Sequence, residues 1–164
     1  MRVLVIGGTR FIGVYLTKLL VEKGHDVTLL NRGNHPAPVN GVETIVCDRT
    51  NPEALKAALA NKSFAAIFDN NGRDQMPHTE GDAVDPNSRH KGKFHTEDYL
   101  KEQGVPFTAI RPVYIYGPQN YNPLEKWFFD RLVADRPLPI PGSGMALTHL
   151  GHCQDLAAAM VAVL

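Results

Sequence analysis

The sequence predicts an α/β fold, a parallel β-sheet covered by helices on both faces. Three observations carry this. Short continuous apolar runs, at 3–6, 27–30 and 64–68, alternate with stretches of helical periodicity. A glycine turn sits between the first run and the first helical stretch. Strands that are apolar without alternation belong in a sheet buried on both faces, and right-handed crossovers put helices there.

The elements follow in chain order. Val3 to Ile6 reads as a strand and Gly7-Gly8-Thr9 as a turn. Phe11, Ile12, Tyr15, Leu16, Leu19 and Leu20 recur at helical spacing up to Gly24, a suitable helix stop. Val27 to Leu30 closes a first β-α-β unit before Asn31-Arg32-Gly33-Asn34 breaks the pattern. Val42 to Val46 is a third strand candidate. Asn51 and Pro52 then supply a cap and a first-turn proline for a helix over 54–59. Phe64 to Phe68 is a fourth strand. From Asp69 to Lys93 the chain is too polar to place one. Phe94, Tyr99 and Leu100 mark a polar-faced helix ending near Gly104, followed by a strand over 106–110. The stretch 114–123, rich in Tyr, Gly, Pro and Asn, reads as loop. Leu124 to Val133 is helical, the prolines of 137–142 make an extended loop, and a helix from Gln154 or Asp155 runs to Leu164.

A length of 164 residues predicts a single domain, with a nucleotide-binding half over 1–73 and an abbreviated second half over 74–164. Seventeen basic and seventeen acidic residues cancel, so no global field draws the chain to nucleic acid or an anionic membrane. The apolar stretches fall short of the ~18 residues that a bilayer crossing needs. The N-terminus shows no signal or transit pattern, which predicts a bacterial cytoplasm, with a chloroplast stroma as the alternative. Cys47 and Cys153 form no CxxC and read as ordinary thiols of a reducing compartment.

The chemistry begins at Gly7-Gly8-Thr9-Arg10-Phe11-Ile12-Gly13. Between a strand and a helix, such a turn lets a pyrophosphate approach backbone amides at a helix N-terminus. Gly7 permits the turn, Gly8 permits close approach and Gly13 lets the helix lie near the sheet. The carboxylate that grips an adenosine ribose belongs about 20 residues beyond the glycines. That place reads Leu30-Asn31-Arg32. Arg32, with Arg10 in the turn, favours a 2′-phosphate, so the expected cofactor is NADP, with NAD as the alternative. Asp48 is placed to face the adenine, and Asn70, within 69–72, to border the nicotinamide half.

These strings resemble a known group. GGTRFIG at 7–13, Cys47-Asp48, the run Arg111 to Pro118 and the segment 149–158 are similar to the extended short-chain dehydrogenases/reductases, the NAD-dependent epimerases and dehydratases. GGTRFIG, FDNNGR at 68–73, SRHKGK at 88–93 and YIYGPQNYNP at 114–123 resemble more closely the chloroplast stem-loop-binding proteins and their cyanobacterial relatives. The resemblance implies a Rossmann-like fold and relatives that bind and cleave RNA.

It also exposes two departures. Redox members carry a Tyr, three residues and a Lys, with a Ser or Thr on the preceding strand. Setting Lys93 on the family's Lys puts Arg89 at the Tyr position. Arginine stays charged, since its pKa exceeds ~12, and cannot serve as that acid or base. Lys93 is left as the one candidate catalytic residue and as a ribose contact. The second departure is length. The family pattern implies a helix and a fifth, hydroxyl-bearing strand before the Lys, roughly 30 residues for which 73–93 has no room. Against the same pattern, the sequence is expected to stop short of the end of the substrate region. Either the strand at 106–110 pairs with the fourth or an open edge invites a homo-oligomer.

Other groups are weaker. Arg89, Lys91 and Lys93 form a local basic segment suited to RNA phosphates, and equally to a solvated helix start. Arg111 joins them as a substrate or RNA candidate. Tyr114, Tyr116 and Tyr121 offer stacking faces for bases or a sugar nucleotide, or serve packing. His149, His152, Cys153 and Asp155 fit no common zinc spacing, so no metal is expected.

Overall fold

The computed structural model describes residues 1–69, 91–112, 114–121, 123–140, 142–145 and 150–164, with 91–94 as helix backbone. Strand β1 (Arg2–Ile6) leads into helix α1 (Ile12–Glu22), then β2 (Asp26–Asn31), β3 (Glu43–Val46), α2 (Pro52–Leu59) and β4 (Ala66–Asp69). These four strands form one parallel sheet in the order β3-β2-β1-β4. Arg2 pairs with Asp26 and Val3 with Ala66, so β1 is central. That explains its unbroken apolar run, for Val3, Leu4 and Val5 are wholly buried between two layers.

Side chains of β1 alternate between those layers. Val3 and Val5 meet Leu16 and Leu20 of α1, while Leu4 and Leu30 face α2 through Leu55, Ala58 and Leu59. Full burial of each such leucine contributes about 2 kcal/mol. Helix α2 starts where the sequence expects, with the Asn51 side chain accepting the Ala54 amide and Pro52 in the first turn.

The second half adds α3 (Lys91–Glu102), β5 (Tyr114–Tyr116), α4 (Leu124–Val133), β6 (Leu150–His152) and α5 (Cys153–Ala162). Helix α5 buries Cys153, Ala157 and Val161, spaced four apart, against α1 and the sheet. This covers the α1 face and ties the end of the chain to its beginning. Strands β5 and β6 pair in parallel, Tyr114 with Leu150 and Tyr116 with His152, as a separate two-stranded sheet.

Two expectations are corrected. Residues 106–110 join no ladder among the described residues, and the strand lies instead at Tyr114–Tyr116, inside the stretch read as loop. A strand needs a partner as well as β-formers. Here β6 offers one to 114–116, whereas no described strand flanks 106–110. Among the described residues β4 pairs on one side only, and Ile67, beside Leu4 on the α2 face, is 59% exposed. Among the described residues, no helix is long and apolar enough to cross a membrane.

Candidate nucleotide-binding cleft

The carboxyl ends of β1 and β2 and the start of the crossover after β3 enclose a cleft of about 410 Å³. Its floor is the glycine turn. Gly7 takes a positive φ of 83°, and its amide donates to the Leu30 carbonyl at 3.0 Å, extending the β1–β2 ladder by one rung. Gly8 is needed for packing. A Cβ on it would stand 2.5 Å from Leu29 Cδ2, 2.8 Å from Thr17 Oγ1 and 3.2 Å from Val5 Cγ1. The sequence assigns close helix–sheet packing to Gly13; the structure shows that Gly8 also serves it, because the missing Cβ faces the core.

Thr17 completes the turn from below. Fully buried on α1, its hydroxyl lies 2.7 Å from the Gly13 carbonyl and 3.1 Å from that of Gly8, bracketing the motif. Phe11, the residue preceding α1, holds φ 46° and ψ −119°, a conformation that costs a non-glycine residue on the order of 1–3 kcal/mol. The helix then begins with no side-chain cap and no acidic residue in its first turn, so its positive end stays unneutralised.

The second wall follows β2. Asn31 Oδ1 accepts the Gly33 amide at 2.7 Å, while Nδ2 is buried without a hydrogen-bond partner among the described residues. Arg32 lines the cleft just beyond. Asp48 also lines the cleft, and its Oδ1 accepts both the Thr50 amide (2.9 Å) and hydroxyl (2.8 Å). Those two bonds hold the Asp48 carboxyl below its ordinary value, with the Arg32 and Arg49 cations adding to the effect. Arg49 reaches across to Asp69 at the end of β4, 2.7 Å away.

The predicted residues divide clearly. Gly7, Thr9, Arg10, Asn31, Arg32, Asp48 and Tyr121 come together at the cleft. Ile12 and Gly13 are buried beneath it. Tyr114 and Tyr116 do not join. The Tyr114 hydroxyl accepts the Leu124 amide at 3.0 Å, and the Tyr116 ring packs edge-on against His152 at 5.2 Å. Arg111 is paired with Glu97 of α3 at 2.6 Å. Lys91 and Lys93 stand in the first turn of α3, whereas Asn70 and Arg89 lie outside the described residues. Sequence reasoning missed Thr17, Asn34, His35 and Arg49. A polar residue inside the apolar stripe of α1 is the signal for Thr17.

A second polar group lies where α5 meets α1. Burial raises the pKa of Cys153, and the neighbouring Tyr15 hydroxyl is raised by burial and by the thiol. A wholly buried thiol shifted upward is a poor nucleophile.

Comparison with known proteins fixes the kinship. The NAD dependent epimerase/dehydratase family matches residues 3–87 and 72–164. The chain belongs to this family. Within it, the Arabidopsis thaliana chloroplast stem-loop binding protein of 41 kDa b is 41% identical over 207 positions, covering 99% of this chain and 55% of that one. The chain thus spans about half the length of that relative. Taking 164 residues from 207 leaves at least 43 aligned positions with no counterpart here. A Stenotrophomonas maltophilia 2-alkyl-3-oxoalkanoate reductase is 39% identical over 74 residues, 44% of this chain and 22% of its own.

Solved family structures share the Rossmann-like fold. Bordetella bronchiseptica WbmH, crystallised with NAD+, superposes with a TM-score of 0.79 at 16% identity, over 98% of this chain and 71% of that one. Thermus thermophilus UDP-glucose 4-epimerase in complex with NAD gives 0.72 at 17%, over 100% and 74%.

Proposed function

We propose that this chain binds a nicotinamide dinucleotide, NADP in preference to NAD, and lacks the family's Tyr-based hydride-transfer chemistry. The observation that carries the reading is the convergence of the glycine turn, Arg10, Asn31 and Arg32 on one cleft. The unneutralised start of α1 suits a pyrophosphate, and two guanidinium groups suit a further phosphate. The cleft volume falls in the range of small-molecule sites. WbmH and the Thermus epimerase carry NAD in the same fold, which supports the dinucleotide part of this reading and not the choice of NADP.

When bound, the dinucleotide supplies a hydride donor or acceptor. The chain's own contribution is binding and orientation. Gly7 shapes the turn, Thr17 keeps it rigid, Arg10 and Arg32 take the 2′-phosphate, and Asn31 and Asp48 border the adenosine. Arg89 at the Tyr position stays protonated near neutral pH and cannot act as the acid or base, so Lys93 is left to touch ribose. Two thiols without a disulfide suit a reducing compartment, a bacterial cytoplasm or a chloroplast stroma.

The test is calorimetric titration with NADPH and NADH of the wild type and Arg32→Ala. A charge-assisted phosphate contact is worth about 1.5–3 kcal/mol. NADPH should bind at least about tenfold more tightly than NADH, and the substitution should remove most of that margin. Equal affinity for both cofactors in the wild type refutes the NADP assignment.

A second reading has its own observation, the 41% identity to a protein named for stem-loop binding. RNA would then be contacted through Arg89, Lys91 and Lys93. An RNA complex whose affinity falls steeply with salt supports it, and absence of binding at low salt rejects it.

A further inference from the structure

Among the described residues, those that line the cleft come from the first fifty of the chain, with one exception. Tyr121, from the loop after β5, reaches the glycine turn from the other half of the molecule. The Arg10 guanidinium lies over its ring, 4.9 Å from the centroid, and the Phe11 ring meets it at 6.5 Å and 83°, edge to face. Tyr121 is 71% exposed, so core burial is not what this side chain supplies. Among the described residues its two ring contacts both fall on the turn, one of them on the residue with the strained backbone.

An arginine on an exposed turn has many rotamers, and ordering it against a ligand is unfavourable. Holding its guanidinium on an aromatic face removes part of that freedom beforehand. We infer that Tyr121 is a positioning residue that holds Arg10 over the cleft and thereby sets the discrimination between NADP and NAD. The inference rests on the dinucleotide reading above. It adds a link from the second half of the chain to cofactor choice, for the Tyr121 loop follows β5, β5 pairs with β6, and β6 runs into α5 on α1. The Tyr121 hydroxyl has no part in this, since the cation meets the ring.

The experiment measures dissociation constants for NADPH and NADH in the wild type, Tyr121→Phe, Tyr121→Ala, Arg10→Ala and the double variant Tyr121→Ala/Arg10→Ala. Melting curves show that each variant is folded. Tyr121→Phe keeps the ring and should stay within about twofold of wild type. Tyr121→Ala should weaken NADPH about two- to fivefold, the range of an exposed cation–π contact, and leave NADH nearly unchanged. The double variant should bind NADPH no more weakly than Arg10→Ala alone, because the ring acts through that side chain. A Tyr121→Ala protein with an unchanged NADPH-to-NADH ratio, or losses that multiply in the double variant, overturns the inference and leaves the dinucleotide reading standing. A wild type that binds neither cofactor overturns both.

Discussion

Gly8→Ala is the substitution on which the geometry of the turn speaks most directly. Gly8 has no left-handed φ, so an alanine there meets no backbone strain and its cost is steric. The new methyl group would lie 2.5 Å from Leu29 Cδ2 and 2.8 Å from Thr17 Oγ1, and both side chains are fully buried. Leu29 has no free space to swing into, and Thr17 moves only by releasing a carbonyl. Overpacking of this kind costs about 1–3 kcal/mol, and one lost hydrogen bond adds about 1 kcal/mol. The total is about 2–4 kcal/mol. For a chain of this size each kcal/mol lowers the melting temperature by about 2–4 °C, so the drop should be roughly 5–15 °C. Circular dichroism melting with urea unfolding at 25 °C reads both quantities. Gly24→Ala is the control: its Cβ meets nothing within 4 Å but its φ is +76°, so it should cost only about 1 kcal/mol. A Gly8→Ala melt within a degree of wild type would refute the packing of α1 on β1 described above.

Three further outcomes follow from the same geometry. Thr17→Val keeps the shape but removes the hydroxyl shared by the Gly8 and Gly13 carbonyls, so it should cost about 1–2 kcal/mol in urea unfolding and weaken NADPH binding as the turn loosens. Cys153, fully buried with its thiol pKa raised by burial, should react with a thiol reagent only as fast as α5 undocks. Labelling of Cys153 at the rate of a free thiol in the native protein would contradict the α1–α5 contact. Glu43, hydrogen-bonded to Lys62 Nζ at 2.9 Å, has its pKa lowered chiefly by that bond. Its contribution is therefore present above the ordinary value of 4.5 and is lost as pH falls through the lowered folded value. For a pair this exposed the effect is at most about 1 kcal/mol, and Lys62→Ala should flatten that part of the stability–pH curve.

What was legible in the sequence was whatever local chemistry decides. The run Val3–Ile6, the apolar stripe of α1 and the Asn51-Pro52 start of α2 each carry their own signal, and Leu124–Val133 is bounded as the periodicity predicts. The glycine turn was readable because its neighbours, a buried strand and a helix, are adjacent in sequence. Strand β5 was not, because three residues show no periodicity and their partner lies after the proline loop. The segment 106–110 misled for the converse reason, having β-formers but no described strand beside it. Arg49 reaches the cleft by way of the β3–α2 crossover and Tyr121 by way of a loop from the second half, routes no spacing rule encodes. The role of Gly8 depended on where its absent Cβ points, which only the packed α1 reveals.

The central claim is that the glycine turn and the end of β2 together hold a nicotinamide dinucleotide. Amide chemical-shift mapping of the isotopically labelled chain during an NADPH titration tests it most directly. The account predicts saturable shifts of the amides at 7–13 and 31–33, including Gly7 and Gly33, with small changes on α4. Unshifted turn amides at saturating NADPH, or shifts confined to residues away from the cleft, would contradict it.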